Sequence, residues 1–266
     1  MRREAELVDR LRAAGCVFAE DEASLLIAAA DEPNALEQLV VRRIAGEPLE
    51  QVLGWAEFGG VRLHVEPGVF VPRRRTEYLA GIAAQLAREQ AAAAGGARRP
   101  VVVDLCCGVG AIGAMIADVA GPVDLVAADI DPAAVRAARR NLEPRGARVF
   151  EGDLFDALPD DLHARIDVLA VNAPYVPTDE IALMPPEARD HEARIALDGG
   201  GDGLDVHRRV AASAARWLAP GGFLLIETSE RQAAIAAGLM RQGALVPRIM
   251  HDDDTTIVVG RLRSAG

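Results

Sequence analysis

The chain has 266 residues, of which half are hydrophobic and only 4% aromatic, and it carries a formal net charge of −11 with no lysine. This length allows one large domain, or one large and one small domain, with a core of mainly aliphatic side chains. The acidity argues against a general nucleic-acid binder, because contacts with phosphates need a basic face, and residues 73–75 are the one candidate for a local basic patch.

The sequence also indicates the compartment. No apolar run reaches the ~18 residues that span a bilayer. The N-terminus enters a charged helical pattern directly, which is not typical of a signal peptide. Cys16, Cys106 and Cys107 have no spacing typical of a zinc site or a disulfide framework. We therefore expect a cytoplasmic protein without a metal site or membrane contact, and we take it to be a monomer.

Residues 1–54 have the apolar period of helices. Leu7, Val8 and Leu11 fall on one helical face, and similar patterns follow up to Ile44. We expect about three short helices, which form an N-terminal helical domain over residues 1–54. So few helices bury little surface alone, so this domain should pack on the larger one or present substrate to it.

Between residues 57 and 72 the period of the apolar residues along the sequence changes to two. Apolar side chains at Phe58, Val61, Leu63 and Val65, and again at 69 and 71, alternate with polar residues and turn signals. This pattern predicts a β-hairpin, which links the two units over residues 55–75. Thr76 is a suitable N-cap for a helix that runs to about residue 94.

From residue 101 onwards, strands and helices alternate within a domain of residues 76–266. Apolar strand patterns lie at 101–105, 125–128, 148–150, 166–171 and 222–227, with helical patterns between them and an antiparallel pair at 245–251 and 255–260. The alternation predicts an α/β fold with a mostly parallel sheet and helices on both faces. Ligands bind such sheets at the carboxyl ends of the strands.

A nucleotide site is indicated after the first of these strands. Gly108 and Gly110 let the backbone approach a ligand closely, and Asp129 ends the next strand, where an acid can accept bonds from a ribose. Two cofactor classes use this geometry. A frame through Gly113 matches the dinucleotide pattern G-x-G-x-x-G, whereas the acid at Asp104 favours a ligand with an ammonium group, such as the methionine end of S-adenosylmethionine.

Two further contacts with this cofactor are expected. Asp153 follows the third strand and could face an adenine amino group, or it could simply cap the turn at Gly152. The free N–H groups of the helix that begins at Thr76 could receive the cofactor's carboxylate, and a plain helix cap is the alternative.

The strand at 166–171 ends in Asn172-Ala173-Pro174-Tyr175. Proline cannot continue a ladder, so the chain must turn at the sheet edge where ligands bind. An ordinary Asn-Pro turn is the alternative interpretation.

Taken together, these segments resemble the HemK/PrmC family, the glutamine methyltransferases of class I peptide-chain release factors. The resemblance is carried by Gly46–Pro48, Gly54–Phe58, Val71–Glu77, Asp104–Ile112, Gly152–Phe155, Asn172–Tyr175, Ala196–Leu204 and Glu227–Gln232. It implies a class I S-adenosylmethionine-dependent methyltransferase with a Rossmann-like, seven-stranded sheet, acting on a protein glutamine.

The resemblance also implies residue roles. The matching catalytic positions are Asn172, Pro174 and Tyr175, with Ala173 added for substrate binding. The matching cofactor positions are Thr76, Asp104, Cys106, Cys107, Gly108, Gly110, Asp129, Asp153, Leu154 and Asn172.

An amide nitrogen is a weak nucleophile because its lone pair is delocalised into the carbonyl. Acceptors that hold both of its N–H bonds would aim the lone pair at the methyl group. The side-chain carbonyl of Asn172 and the backbone carbonyl of Ala173 offer two such acceptors, and Tyr175 can pack on the planar amide. This is catalysis by positioning, and it needs no strong base.

Several positions depart from the family pattern. Ala173 replaces a proline, Arg74 and Arg75 replace a proline and an acid, and Cys106 and Ser229 replace glycines. The tail at 252–257 lacks the usual glycine and arginine. Residues 73–75 form either a solvated charge run or a contact with an acidic or RNA-associated partner. The alternatives are an adenine N6 methyltransferase on nucleic acid, a nucleotide-dependent oxidoreductase, and a cofactor-binding paralogue with another protein target or without catalysis.

Overall fold

The computed structural model describes residues 2–264. Its helices are α1 (Arg2–Ala13), α2 (Ala19–Ala29), α3 (Pro33–Ile44), α4 (Leu49–Leu53), α5 (Glu77–Ala93), α6 (Ala111–Val119), α7 (Pro132–Leu142), α8 (Pro186–His191), α9 (Asp205–Trp217) and α10 (Glu230–Gln242). Its strands are β1 (Trp55–Phe58), β2 (Val61–His64), β3 (Val101–Leu105), β4 (Asp124–Asp129), β5 (Arg148–Glu151), β6 (Ile166–Val171), β7 (Leu218–Thr228), β8 (Leu245–Asp252) and β9 (Thr255–Leu262).

The central sheet has seven strands in the order β5-β4-β3-β6-β7-β9-β8. Strands β3 to β7 are parallel, and β9 pairs antiparallel with both β7 and β8. All six residues of β6, at the centre, are buried, including Asp167, whose carboxylate accepts hydrogen bonds from Arg98. The predicted fold class, a mostly parallel seven-stranded sheet, is confirmed.

Two hydrophobic clusters cover opposite faces of this sheet. Successive side chains of β3 belong to different clusters. Val102 packs with α5, α6, α7 and the hairpin, whereas Val103 packs with α9 and α10. Both faces of the sheet are therefore covered by apolar side chains, and polar side chains reach solvent mainly at the ends of the strands.

The N-terminal helices have a small core of their own, which includes Leu11 and Leu26. A buried ion pair stabilises it, since Arg43 Nε donates to Glu22 at 2.6 Å, and Arg43 also pairs with Glu187 of α8. Gln51 Nε2 donates to the carbonyl of Val69 at 2.9 Å and so ties α4 to the larger unit. The one-turn helix α4 was not predicted, because five residues show no helical period.

The predicted hairpin is shorter in the structure. Strands β1 and β2 pair antiparallel around Gly59-Gly60, but the apolar positions at 69–71 form no strand in the described chain. Helix α5 begins at Glu77, after a 3₁₀ turn over Arg74–Thr76. The prediction that Thr76 is an N-cap was wrong, because this residue has helical dihedral angles and its side chain caps no N–H group among residues 2–264.

No helix within residues 2–264 combines the length and the hydropathy that a membrane crossing requires.

Candidate functional site

A cavity of about 250 Å³ lies at the carboxyl edge of the sheet, where β3, β4, β5 and β6 end. The predicted site residues that line it are Cys106, Gly108, Asp129, Asp153, Leu154, Asn172, Ala173, Pro174 and Tyr175. The topology thus brings together segments that lie up to 69 residues apart along the chain, from Cys106 to Tyr175. Thr76, Asp104, Cys107 and Gly110 lie behind this lining rather than in it.

Asp129 lines the cavity, and backbone N–H groups hold its carboxylate in place. Its Oδ2 accepts a hydrogen bond from the N–H of Gly108 at 2.8 Å, and its Oδ1 accepts one from the N–H of Asp131 at 2.9 Å. Burial raises the pKa of this carboxyl group, and the backbone donors oppose the shift. Each oxygen keeps a second lone pair, so the carboxylate can still accept hydrogen bonds from a diol.

The loop between β3 and α6 has two residues in the left-handed region that line the cavity. Gly108 has φ of +54°, and Cys106 has φ of +59° at a position where the family pattern has glycine. Gly110 is not among the residues that line the cavity. A Cβ there would lie 2.7 Å from Leu142 Cδ1, so Gly110 lets α6 pack against α7.

Asp104 lies beneath the loop and is fully buried. Its Oδ2 accepts the N–H of Gly113 at 2.8 Å, whereas its Oδ1 has no hydrogen-bond partner among residues 2–264. Burial raises the pKa of Asp104 to about 8. A Cβ at Gly113 would lie 3.2 Å from Asp104 Oδ2. The third glycine of the dinucleotide pattern is therefore explained by this packing, and it needs no pyrophosphate.

Asp153 lines the cavity beside Leu154. Its Oδ2 accepts a hydrogen bond from Arg209 of α9 at 2.8 Å. The alternative interpretation of Asp153 as a turn cap was wrong, because its side chain caps no backbone N–H in the described part of the chain. Leu154 has φ of +51° and is buried, so it presents an apolar wall to the cavity.

The loop after β6 is held from several sides. Asn172 Nδ2 donates to Thr76 Oγ1 at 3.3 Å, which leaves Asn172 Oδ1 without a donor among residues 2–264. Gln232 Nε2 donates to the carbonyl of Tyr175 at 3.0 Å. Gly203 approaches the same carbonyl so closely that a Cβ would lie 2.3 Å from it. These contacts hold the loop against α10 and against the segments that precede α5 and α9.

Tyr175 carries a polar network at the mouth of the cavity. Its hydroxyl donates to Glu227 Oε1 at 3.1 Å and accepts from Arg75 at 2.8 Å. Its ring meets His207 edge-on, with centroids 6.4 Å apart. Burial, followed by the charge of Glu227, raises the pKa of Tyr175 to about 12. Tyr175 therefore keeps its proton at neutral pH and cannot act as a base there.

Comparison with known proteins agrees with this geometry. The family model "Methyltransferase small domain" matches residues 61–203, which is more than half of the chain. The chain belongs to this methyltransferase family. A release factor glutamine methyltransferase of Geobacter sulfurreducens is 38% identical over 211 residues, which cover 79% of this chain and 70% of that protein. The predicted family resemblance is confirmed.

Two other relatives extend the comparison. A protein of Streptomyces pristinaespiralis named 4-amino-L-phenylalanine/4-methylamino-L-phenylalanine methyltransferase is also 38% identical, over 79% of this chain and 70% of its own. The solved 16S rRNA N2 G1207 methyltransferase of T. thermophilus, in complex with AdoMet and guanosine, superposes with a TM-score of 0.56 at 20% identity. It covers 79% of this chain and 50% of its own, and at that identity it shows a shared fold only.

Sequence reasoning missed several residues of this methyltransferase. Arg73 pairs with the buried Glu192 at 2.6 Å, and Arg75 Nε lies 3.4 Å from Glu227. The interpretation of residues 73–75 as a solvated run was therefore wrong for Arg73, whereas the side chain of Arg75 is 44% exposed and also pairs with Glu227. Gln232, which holds the carbonyl of Tyr175, was also missed as a site residue. Only the family segments that contain these residues could have indicated them.

His207 gives a test of how the site is supported. Its Nε2 donates to the carbonyl of Glu227 at 3.1 Å, and burial lowers the pKa of His207 to about 4, from 6.5. Between these values the unfolded chain binds a proton that the folded chain does not, so stability falls as pH falls from 6.5 towards 4. For His207 alone we expect a loss of about 2 kcal/mol between pH 7 and pH 5.

The matched variant is His207→Gln, whose amide can keep the donation to Glu227 but does not titrate. Urea unfolding of both proteins at pH 7 and pH 5 measures the two changes. We expect the loss of stability on acidification to be smaller in the variant, and equal losses in both proteins would contradict the assignment.

Proposed function

We propose that this methyltransferase transfers the methyl group of S-adenosylmethionine to the side-chain amide nitrogen of a protein glutamine. We further propose that the acceptor is a class I peptide-chain release factor. One observation carries the proposal: Asn172, with a free carbonyl oxygen, lines the same cavity as Asp129. The name of the Geobacter relative supports the choice of acceptor.

The lining of the cavity fits this cofactor. Asp129 would accept hydrogen bonds from the ribose hydroxyls, Asp153 would face the adenine amino group, and Leu154 would pack on the ring. The left-handed backbone at Gly108 leaves room for a close approach. When bound, S-adenosylmethionine supplies an electrophilic methyl group on a sulfonium. The orphaned Oδ1 of Asp104 is proposed to receive the cofactor's ammonium group after a local movement.

The residues of the loop after β6 would orient the acceptor amide. Asn172 Oδ1 would hold one N–H bond and the carbonyl of Ala173 the other, so that the nitrogen lone pair faces the methyl group. Pro174 stiffens the turn, and Tyr175 packs on the amide plane. Since Tyr175 stays protonated at neutral pH, it does not serve as a phenolate base for the acceptor amide. The amide would lose its proton after the methyl group has been transferred.

Thr76 tests this orientation. We expect Thr76→Val to lower kcat about three- to tenfold, because it removes the hydrogen bond that aims the Asn172 amide. The Kd for S-adenosylmethionine should stay unchanged, since Thr76 does not line the cavity. Thr76→Ser keeps the hydroxyl and should restore turnover. A large loss of cofactor affinity in Thr76→Val would instead place the cofactor at the start of α5.

The decisive experiment uses purified protein, S-adenosylmethionine and a purified class I release factor. Mass spectrometry should find one added methylene on a glutamine of the release factor. A gain only on another protein in a lysate would keep the chemistry and overturn the acceptor. A gain on adenine in nucleic acid would overturn both, and the acidity of the chain argues against that outcome.

A second candidate is methylation of an aromatic amine on a free amino acid. The Streptomyces relative bears such a name at the same identity. In this chain Arg75 and Glu227 lie side by side near Tyr175, and together they could pair with a carboxylate and an ammonium group. Methylation of 4-amino-L-phenylalanine, with no gain on a release factor, would favour this candidate.

We also propose a domain organisation and an oligomeric state. Residues 1–54 would act as a helical domain, 55–75 as a hairpin linker and 76–266 as the methyltransferase domain, in a cytoplasmic monomer. The separate core of α1 to α4 supports the first boundary. Limited proteolysis and size-exclusion chromatography test the boundaries and the oligomeric state.

A further inference from the structure

A second concave surface lies beside Tyr175, at the carboxyl end of β7. It is an open groove of about 510 Å³ between the start of α10 and the turn that joins β8 to β9. We call it the acidic groove, and it is lined by Arg75, Tyr175, Glu227, Thr228, Ser229, Glu230, His251, Asp252, Asp253, Asp254, Thr255 and Thr256. Arg75 and Tyr175 also line the cavity described above, so the two spaces share a wall.

The groove is strongly negative. Its lining contains the carboxylates of Glu227, Glu230 and Asp252–Asp254 against the single guanidinium of Arg75. Within residues 2–264, Glu230 and Asp252–Asp254 have no ion-pair partner, and the three aspartates are exposed. These carboxylates are therefore available to a ligand that comes from solvent.

A buried atom points to the same conclusion independently. The side chain of Glu227 is only 2% exposed, and its Oε1 is used by Arg75 and Tyr175. Its Oε2 has no hydrogen-bond partner among the described residues. A buried carboxylate oxygen without a donor is costly, and a cationic or N–H donor from a bound molecule would remove that cost.

Some of the positions that depart from the family pattern meet at this groove, whereas Cys106 and Ala173 line the other cavity. Arg75, Ser229 and the tail that contains Asp252–Asp254 all line it. Thr255 Oγ1 donates to the carbonyl of Arg75 at 2.9 Å, so the tail and the segment before α5 are in direct contact. These changes at Arg75, Ser229 and the tail alter one surface next to Tyr175, while Asp129 and Asp153 keep their places in the cavity lining.

We propose that the acidic groove binds a cationic segment of the protein substrate, in which arginine or lysine side chains flank the methylated glutamine. This inference rests on the proposed function, because it places the flanking residues beside a glutamine at Asn172. The exposed aspartates would attract the segment from solution, and Glu227 would receive its most deeply placed N–H donor. No group of three metal-ligating side chains within residues 2–264 has the arrangement of an ion site, which favours an organic cation.

The test uses a fluorescein-labelled dodecapeptide with one glutamine and arginines on both sides of it. Its Kd for the full-length protein is measured by anisotropy, and methyl transfer is followed separately by mass spectrometry. The variant Asp253→Asn/Asp254→Asn should raise the Kd by roughly five- to tenfold, the effect of losing two partly exposed ion pairs. Affinity of the wild type should also fall as salt rises.

The matched control is Asp160→Asn/Asp161→Asn. It removes the same charge near the amino end of β6, at the opposite edge of the sheet. This variant should bind like the wild type, and a peptide with citrulline in place of arginine should bind all three proteins equally weakly. Equal Kd values for the groove variant and the control, or no binding of the arginine peptide by the wild type, would overturn the proposal.

The two proposals fail in different ways. Arginine-dependent binding without methyl transfer to any glutamine would overturn the proposed function and keep the groove as a cation site. Methyl transfer that is equally fast to the arginine and citrulline peptides would keep the function and overturn the groove. The groove proposal is supported if the groove variant has a higher KM for the arginine peptide than the wild type, while its kcat and its Kd for S-adenosylmethionine are unchanged.

Discussion

Replacing Asn172 by alanine is expected to lower kcat by about 10²-fold or more, because the acceptor amide would lose the group that orients it. The side chain of Asn172 is held through its Nδ2 by Thr76, and its Oδ1 is left for a ligand. The Kd for S-adenosylmethionine should change little, since Asp129 and Asp153 lie elsewhere on the cavity wall. Single-turnover methyl transfer and titration calorimetry measure these two quantities on the same protein preparations.

Ala173→Pro is the matched control for Asn172→Ala. It restores the family's residue in the same loop, and it removes an N–H that donates no hydrogen bond among residues 2–264. Proline fixes φ, so the carbonyl of residue 173, the proposed second acceptor, should be held more firmly. Turnover should be equal or higher in this variant. Full activity in Asn172→Ala would refute the positioning mechanism, whatever the control does.

The sheet and its flanking helices could be predicted because their local patterns agree with the global fold. The strand predicted at 166–171 has the bounds of β6, since the apolar run from Val168 to Val171, entered from Ile166, ends at the polar Asn172. The Asp131-Pro132 pair starts α7 as expected, with Asp131 Oδ1 accepting the N–H of Ala133 at 2.8 Å. In such segments one residue type and its neighbours determine the conformation.

The parts that could not be predicted depend on contacts between distant residues. The apolar positions at 69–71 look like a strand, but Gln51 and Glu192 take their backbone groups, and each partner is remote in sequence. The pair between Arg75 and Glu227 joins residues 152 positions apart. A run of three arginines shows no period that would reveal such partners, so the sequence alone favoured solvent.

The candidate site was predictable as a set of chain segments but not as a set of contacts. The carboxyl edge of a parallel sheet places Asp129 and Asn172 together, and both line the cavity. It was not predictable which of these residues would line the cavity and which would lie beneath its wall. Asp104 and Gly110 follow the same pattern as Gly108, yet one supports the loop from below and the other accommodates Leu142. The position of each residue relative to the cavity depends on how α6 packs, and the sequence motif of the loop does not specify that packing.

Asp129→Ala is expected to weaken S-adenosylmethionine by roughly 1.5–3 kcal/mol, the scale of hydrogen bonds to a charged group. This corresponds to a rise in Kd of about ten- to 150-fold. Asp129 also holds the N–H groups of Gly108 and Asp131, so its removal could loosen the loop as well as the ribose contact. The first variant alone therefore does not separate the two effects.

Asp129→Asn separates them. Its amide keeps one oxygen that can accept a backbone N–H, while the other position becomes an NH2 donor that accepts neither a backbone N–H nor a hydroxyl hydrogen. If the ribose contact dominates, Asp129→Asn should lose most of the affinity that Asp129→Ala loses, yet melt at a higher temperature than Asp129→Ala, because it retains one of the two backbone hydrogen bonds. If loop support dominates, the asparagine variant should recover a large part of the affinity that Asp129→Ala loses, because it still holds one backbone N–H of the loop. Titration calorimetry with S-adenosylmethionine and with S-adenosylhomocysteine should then give the same ranking, because the two ligands share the ribose. Unchanged affinity in both variants would remove Asp129 from the cofactor site, and preferential binding of NAD would overturn the cofactor class.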